Sequence, residues 1–217
     1  MLSVLKKGLL ISFEGPEGSG KSTHIARLAE TLRAAGVPIQ LTREPGGSPL
    51  GVAFRRILLE QGDGLTPLSE LFLYEADRAQ HVQDVIKPAL AAGKVVLCDR
   101  FTDSTLAYQG WGRGLNRRAI QTLNAIASQN ILPDLTILLD VPVERGLKLA
   151  HASKKGHDRL ERAGSAFHHR VRAGFLALAR SQPKRFRVIA QQEKIEATQQ
   201  KISDVVNTFL KKRKQVA

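Results

Sequence analysis

Apolar residues fall into short runs that alternate with longer stretches in which they recur every three or four positions. Leu9 to Phe13, Ile39 to Thr42, Lys94 to Cys98, Leu135 to Leu139 and Arg187 to Ile189 read as short buried strands, each bounded by Gly, Pro or charge. Between them the helical spacing predicts helices over about 21–35, 49–60, 68–92, 115–129, 143–152, 159–180 and 195–213. This alternation implies an α/β domain: a parallel sheet with helices on both faces. No repeat or low-complexity linker interrupts it, so residues 1–217 read as one domain. In such sheets ligands bind beyond the carboxyl ends of the strands, which makes the residues after each strand the first to examine.

The first strand runs straight into GPEGSGKS, which fits G-x-x-x-x-G-K-[ST] with Gly15, Gly20, Lys21 and Ser22 in the required strand-to-helix setting. Glycine at that density costs folding entropy, so the bare backbone must itself be the ligand. Amides of Gly15, Pro16, Glu17, Gly18, Ser19, Gly20, Lys21, Ser22 and Thr23 lie on the segment that would cradle nucleotide phosphates at a helix N-terminus, proline contributing shape rather than a donor. Lys21 reaches the β and γ phosphates in this reading, and Ser22 offers its hydroxyl oxygen to Mg²⁺. The third strand ends in CDRF, so Asp99 emerges at the same sheet edge as a second magnesium-orienting group, and Arg100 can pair with a phosphate as a planar fork. A capping Asp-Arg pair is the plainer alternative for those two.

Composition narrows the setting. One cysteine, Cys98, lies within an apolar stretch, which excludes a disulfide framework and points to a buried thiol in a reducing, cytoplasmic compartment. The N-terminus lacks a signal-peptide pattern, and no run approaches the roughly 18 apolar residues of a spanning helix. Net charge is +13, concentrated in Arg145 to Arg187, where twelve Lys or Arg face two acids, with a basic tail over Lys211, Lys212, Arg213 and Lys214. Such a segment either meets a polyanion or is a solvated helical face. The chain shows no basic groove interleaved with aromatics, which argues against a nucleic-acid partner.

Four stretches together carry a resemblance: TREPGGSPLG at 42–51, LFLYEADRAQH at 71–81, DRFTDSTLAYQG at 99–110 and LPDLTILLDVPVERGLK at 132–148. In this order they resemble thymidylate kinases of the bacterial kind, and few other P-loop families carry REPGG and DRFTDSTLAYQG together. The resemblance implies a P-loop NTPase-like, five-stranded parallel sheet with a mobile lid over about 148–160, transfer of the ATP γ-phosphoryl group to dTMP with Mg²⁺ as cofactor, and a homodimer. It also implies that Glu17 approaches the acceptor sugar and that Arg43 lies beside the acceptor in the Arg43-Glu44-Pro45 turn. Arg78 resembles the arginine that holds the dTMP phosphate together with Arg100. Tyr74 stands where the family commonly has a phenylalanine stacked on thymine, one helical turn before Arg78. Ser104, Thr105, Tyr108 and Gln109 resemble thymine and sugar contacts. Gln109, with a donor and an acceptor, suits the O4 and N3–H edge of a pyrimidine. Phe72 reads as core.

Two departures from the pattern stand out. The phosphate loop has no basic residue among its variable positions, so the cation on the migrating group should come from the lid. Yet the lid has Leu149 and His151 where relatives often have arginines, leaving Arg159 or Lys154 as the expected catalytic cation beside Lys21 and Asp99. After the last strand, Ile189 to Gln192 lack the Asp-Ala element near the adenine. A kinase for another acceptor, such as dUMP, CMP or a nucleoside, is an alternative reading. A basic ATPase that binds nucleic acid is another.

Overall fold

The computed structural model describes residues 8–61, 64–152, 159–160 and 162–215. Among them, strands β1 (Leu9–Glu14), β2 (Ile39–Arg43), β3 (Val95–Asp99), β4 (Leu135–Asp140) and β5 (Phe186–Ala190) form one sheet in the order β2-β3-β1-β4-β5. All four pairings are parallel, with Phe13 opposite Asp99 and Glu14 opposite Leu138 at the carboxyl edge. The five strands match the expected runs within one residue. No helix among the described residues is long and apolar enough to cross a membrane.

The helices are α1 (Lys21–Ala34), α2 (Gly51–Arg56), α3 (Pro67–His81), α4 (Lys87–Ala91), α5 (Thr102–Thr105), α6 (Arg117–Ala127), α7 (Val143–Ala152), α8 (Ser165–Ser181) and α9 (Ile195–Gln215). Period-two alternation in β1 divides the core. Leu9, Ile11 and Phe13 pack with Ile25, Leu28 and Leu32 of α1 and Ile202 and Val206 of α9. On the other face Leu10 joins Val96, Cys98 and Phe101 with Val82 and Ile86. A third cluster gathers Tyr108, Ile120, Leu138, Phe167, Val171 and Phe175.

Wider π turns lie at Ile57–Gln61, which ends α2, at Val82–Ile86, which joins α3 to α4, and at Leu106–Gly112, which continues α5. The second turns one expected helix, 68–92, into three segments. Pro88 has no N–H to give to a carbonyl four residues back, and the helix widens just ahead of it. The expected helix over 159–180 is shorter than its pattern, beginning only at Ser165 behind an extended Gly164. Phe72, expected in the core, is 52% exposed on α3, because that helix turns its Leu71 face inward and leaves Leu68 and Phe72 outside.

Candidate functional site

The carboxyl ends of β1 and β3 open into a cleft of about 780 Å³, lined by Glu17 to Thr23 together with Arg43, Tyr74, Arg78, Arg100, Ser104, Thr105, Tyr108 and Gln109. Gly15, Gly18 and Gly20 all have positive φ, the backbone freedom that the turn needs. Gly18 also sits against α7: a Cβ there would stand 1.8 Å from the Gly146 carbonyl oxygen, and one on Gly146 would stand 2.4 Å from that of Glu17. The glycine-rich loop and the first turn of α7 therefore approach each other backbone to backbone.

Lys21 is buried, its Nζ donating to the carbonyls of Gly15 (3.1 Å) and Pro16 (3.0 Å) and to Ser19 Oγ (3.1 Å). Burial, reinforced by the nearby Arg100, pushes its pKa down to about 8. Ser22 Oγ donates to Asp99 Oδ2 at 2.7 Å, so the two groups expected at the metal meet across 77 residues of chain. A hydroxyl and a carboxylate are the hard oxygen donors that suit Mg²⁺, which takes few protein ligands and completes its shell with water and substrate phosphates.

Arg100 turns the chain with φ 72, a left-handed conformation uncommon outside glycine. Its guanidinium donates to the Gly15 carbonyl and Ser104 Oγ (both 3.1 Å), to Glu17 Oε1 (2.8 Å) and to the Tyr108 hydroxyl (3.0 Å), and it stacks 4.9 Å from the Tyr108 ring centre. Tyr108 in turn donates to Glu17 at 2.6 Å. Burial opposes the Glu17 charge, but Arg100 and Lys21 outweigh it and hold its carboxyl below the ordinary range. Ser104 and Tyr108, four residues apart, converge on Arg100. Thr105 and Gln109 part company: Thr105 Oγ1 accepts from Arg78 (2.9 Å), whereas Gln109 Nε2 donates to Glu70 (2.7 Å).

Arg78 lines the cleft but is only 2% exposed, its donors spread over Glu44, Glu75, Asn124 and Thr105. Arg43 is exposed at the end of β2, and Tyr74 is half-buried in the cleft wall. Arg159 is held away from the phosphate loop, Nε on the Leu58 carbonyl at 3.1 Å and Nη2 on Glu70. Lys154 lies outside the described residues.

Sequence reasoning missed Glu14 and Glu70. Glu14 ends β1 fully buried, accepting from Phe101 N at 2.8 Å and Ser104 Oγ at 2.6 Å. An acid closing an apolar strand was the available signal. Glu70 lies one turn before Tyr74 and two before Arg78, so extending that face backwards reaches it.

A family model described as thymidylate kinase matches residues 13–202. The chain is 53% identical over 205 residues to a thymidylate kinase of Geobacter sulfurreducens, covering 92% of this chain and 96% of that protein. It is 49% identical over 209 residues to one of Solidesulfovibrio magneticus, covering 93% and 100%. A crystal structure of thymidylate kinase from Ehrlichia chaffeensis superposes with a TM-score of 0.76 at 36% identity, covering 93% of this chain and 99% of that one.

Proposed function

The chain belongs to the thymidylate kinase family, and from that premise we propose how its residues divide the work of the reaction. It is a phosphotransferase that moves a phosphoryl group from ATP to dTMP, giving dTDP. The observation that carries the assignment of parts is the cleft itself, lined by a phosphate loop together with a cluster of arginine, acid and aromatic groups.

On the donor side the amides of Gly15 to Thr23 cradle the ATP phosphates, and the Lys21 ammonium follows the β and γ oxygens. Ser22 and Asp99 would hold Mg²⁺; when bound, the ion neutralises charge on the bridging phosphate oxygens. On the acceptor side Arg100 meets the dTMP phosphate, flanked by Ser104 and by Glu17 and Tyr108, which take the sugar. Arg43 and Arg78 border the same pocket, while Tyr74, Thr105 and Gln109 take the base. Because the acceptor is already an anion, no general base is needed; the work is positioning and electrostatics. The lid supplies the remaining cation, Lys154 or Arg159, the latter exchanging its Glu70 contact for the migrating group. We also propose a homodimer, supported by exposed Val52 on α2 and exposed Leu68 and Phe72 on the adjoining α3, and a reducing cytoplasmic setting, supported by the buried Cys98 thiol.

The test is a phosphoryl-transfer assay with ATP, with and without magnesium, against dTMP, dUMP, CMP, dGMP and thymidine. Strong preference for dTMP and dependence on magnesium are expected. Lys21→Ala should lose nearly all turnover while keeping its circular-dichroism spectrum. Preference for another acceptor, or full activity of the folded variant, would overturn the assignment of the site.

A further inference from the structure

Glu70 lies in the first turn of α3 with 0% exposure, on the face that carries Tyr74 and Arg78 at the turns that follow. Its carboxylate collects donors only. Oε1 accepts from Gln109 Nε2 at 2.7 Å and Arg113 Nε at 3.2 Å. Oε2 accepts from Arg113 Nη2 at 3.1 Å and from Arg159 Nη2. Burial works against its charge, but the bonds from Arg113, Gln109 and Arg159 prevail and keep its pKa below the ordinary value, so it is ionised at neutral pH.

A glutamine amide is two-faced: half a turn about its last bond exchanges NH₂ and oxygen at almost no steric cost. Ionised Glu70 removes that freedom at Gln109, since a carboxylate has only lone pairs to offer and can face only the NH₂ end. Gln109 is 1% exposed and lines the cleft. One amide hydrogen goes to Glu70; the second hydrogen and Oε1 are left for a ligand. That pair, a donor beside an acceptor in fixed order, complements the O4 and N3–H edge of thymine. Cytosine presents the reverse order, an N4 amine donor beside an N3 acceptor, and would meet like against like.

We propose that Glu70, without touching substrate, is the positioning residue that selects thymine over cytosine, by fixing which end of the Gln109 amide faces each atom of the base. The proposal rests on the reading of Gln109 as the acceptor-base contact given above. Its logic predicts what the isosteric Glu70→Gln does. The new amide has one oxygen, and while the acceptor base binds, with Arg159 still in place, the Oε2 position is met by two guanidinium groups and claims it. The NH₂ then takes the Oε1 position, gives up the single bond from Arg113 Nε and faces Gln109, whose own amide must turn its oxygen toward it. The acceptor pocket then presents the cytosine-matching order.

The experiment compares kcat/KM for dTMP and dCMP in the wild-type enzyme and in E70Q, with thermal melting as the check on folding. The ratio favouring dTMP is expected to fall at least about tenfold in E70Q, through a higher KM for dTMP and a lower KM for dCMP. A merely structural role for Glu70 would lower both substrates in parallel. A parallel fall, or an unchanged ratio in a folded variant, overturns the proposal. Should E70Q fail to fold, Glu70→Asp decides: it keeps acceptor-only chemistry, so the preference for dTMP must persist, and its loss overturns the proposal. A wild-type enzyme that does not phosphorylate dTMP would overturn the underlying functional reading, a result separate from any of these.

Discussion

Glu14 shows what one buried acid does for the residues around it. It holds the Phe101 amide and the Ser104 hydroxyl, and so frames the strained Arg100 between them. Burial, with Asp103 close by, raises its pKa from 4.5 to about 8. The folded protein therefore keeps a proton that the unfolded chain releases above its ordinary pKa. The stability this proton confers is complete below pH 4.5 and is lost as pH rises through about 8. Glu14→Gln has no such proton, and the neighbouring groups common to both proteins cancel in the comparison. Between pH 5.5 and 8.5 the melting temperature of the wild type should fall more than that of E14Q; equal slopes would show that Glu14 titrates normally. At this scale the sequence was legible where position follows the strand pattern: Asp99 does emerge at the same sheet edge as Ser22, whose hydroxyl donates to it. It was silent where partners are distant. Nothing near Arg78 in the chain announces that Glu44, Asn124 and Thr105 will close around it.

At the scale of elements, strand positions were legible because a buried parallel strand is a bare apolar run, while helix interruptions were not. The π turns before Arg113 and Pro88 follow from tertiary fit and from a missing N–H rather than from a break in the apolar pattern. The contact between the phosphate loop and α7 was equally hidden, since glycine leaves no side chain to be read. It is testable. Gly18→Ala would put a Cβ into the Gly146 carbonyl at a residue with φ +67, and both sides of the clash are main chain. Gly36→Ala is the fitting control, with φ +75 and open space around the new atom. The control should show only the conformational penalty of about 1 kcal/mol, some 2–4 °C in melting temperature. G18A should lose more than that and raise KM for ATP at least about tenfold. Matching behaviour of the two variants would mean that the loop and α7 are not mechanically joined.

At the scale of the whole molecule, part of the basic segment has partners within the protein that its composition did not suggest. Arg172 grips both oxygens of Asp140, Arg185 both oxygens of Asp103, and Arg170 the Gly112 carbonyl, so much of the positive charge of this stretch fastens the last third of the chain to the sheet and acceptor side. The apolar residues left outside bear on the proposed homodimer. Phe72→Asp, on the exposed face of α3, should convert a dimer into monomers in light scattering while the monomer stays folded. A wild-type protein that is monomeric at micromolar concentration would refute the association. One last consequence comes from Lys21, whose ammonium already bridges two carbonyls and a hydroxyl of its own loop. On the reading proposed above, a nucleotide arriving there finds the cation already held by the loop. It trades oxygen for oxygen around a single cation, and scarcely any of its affinity goes into arranging the chain.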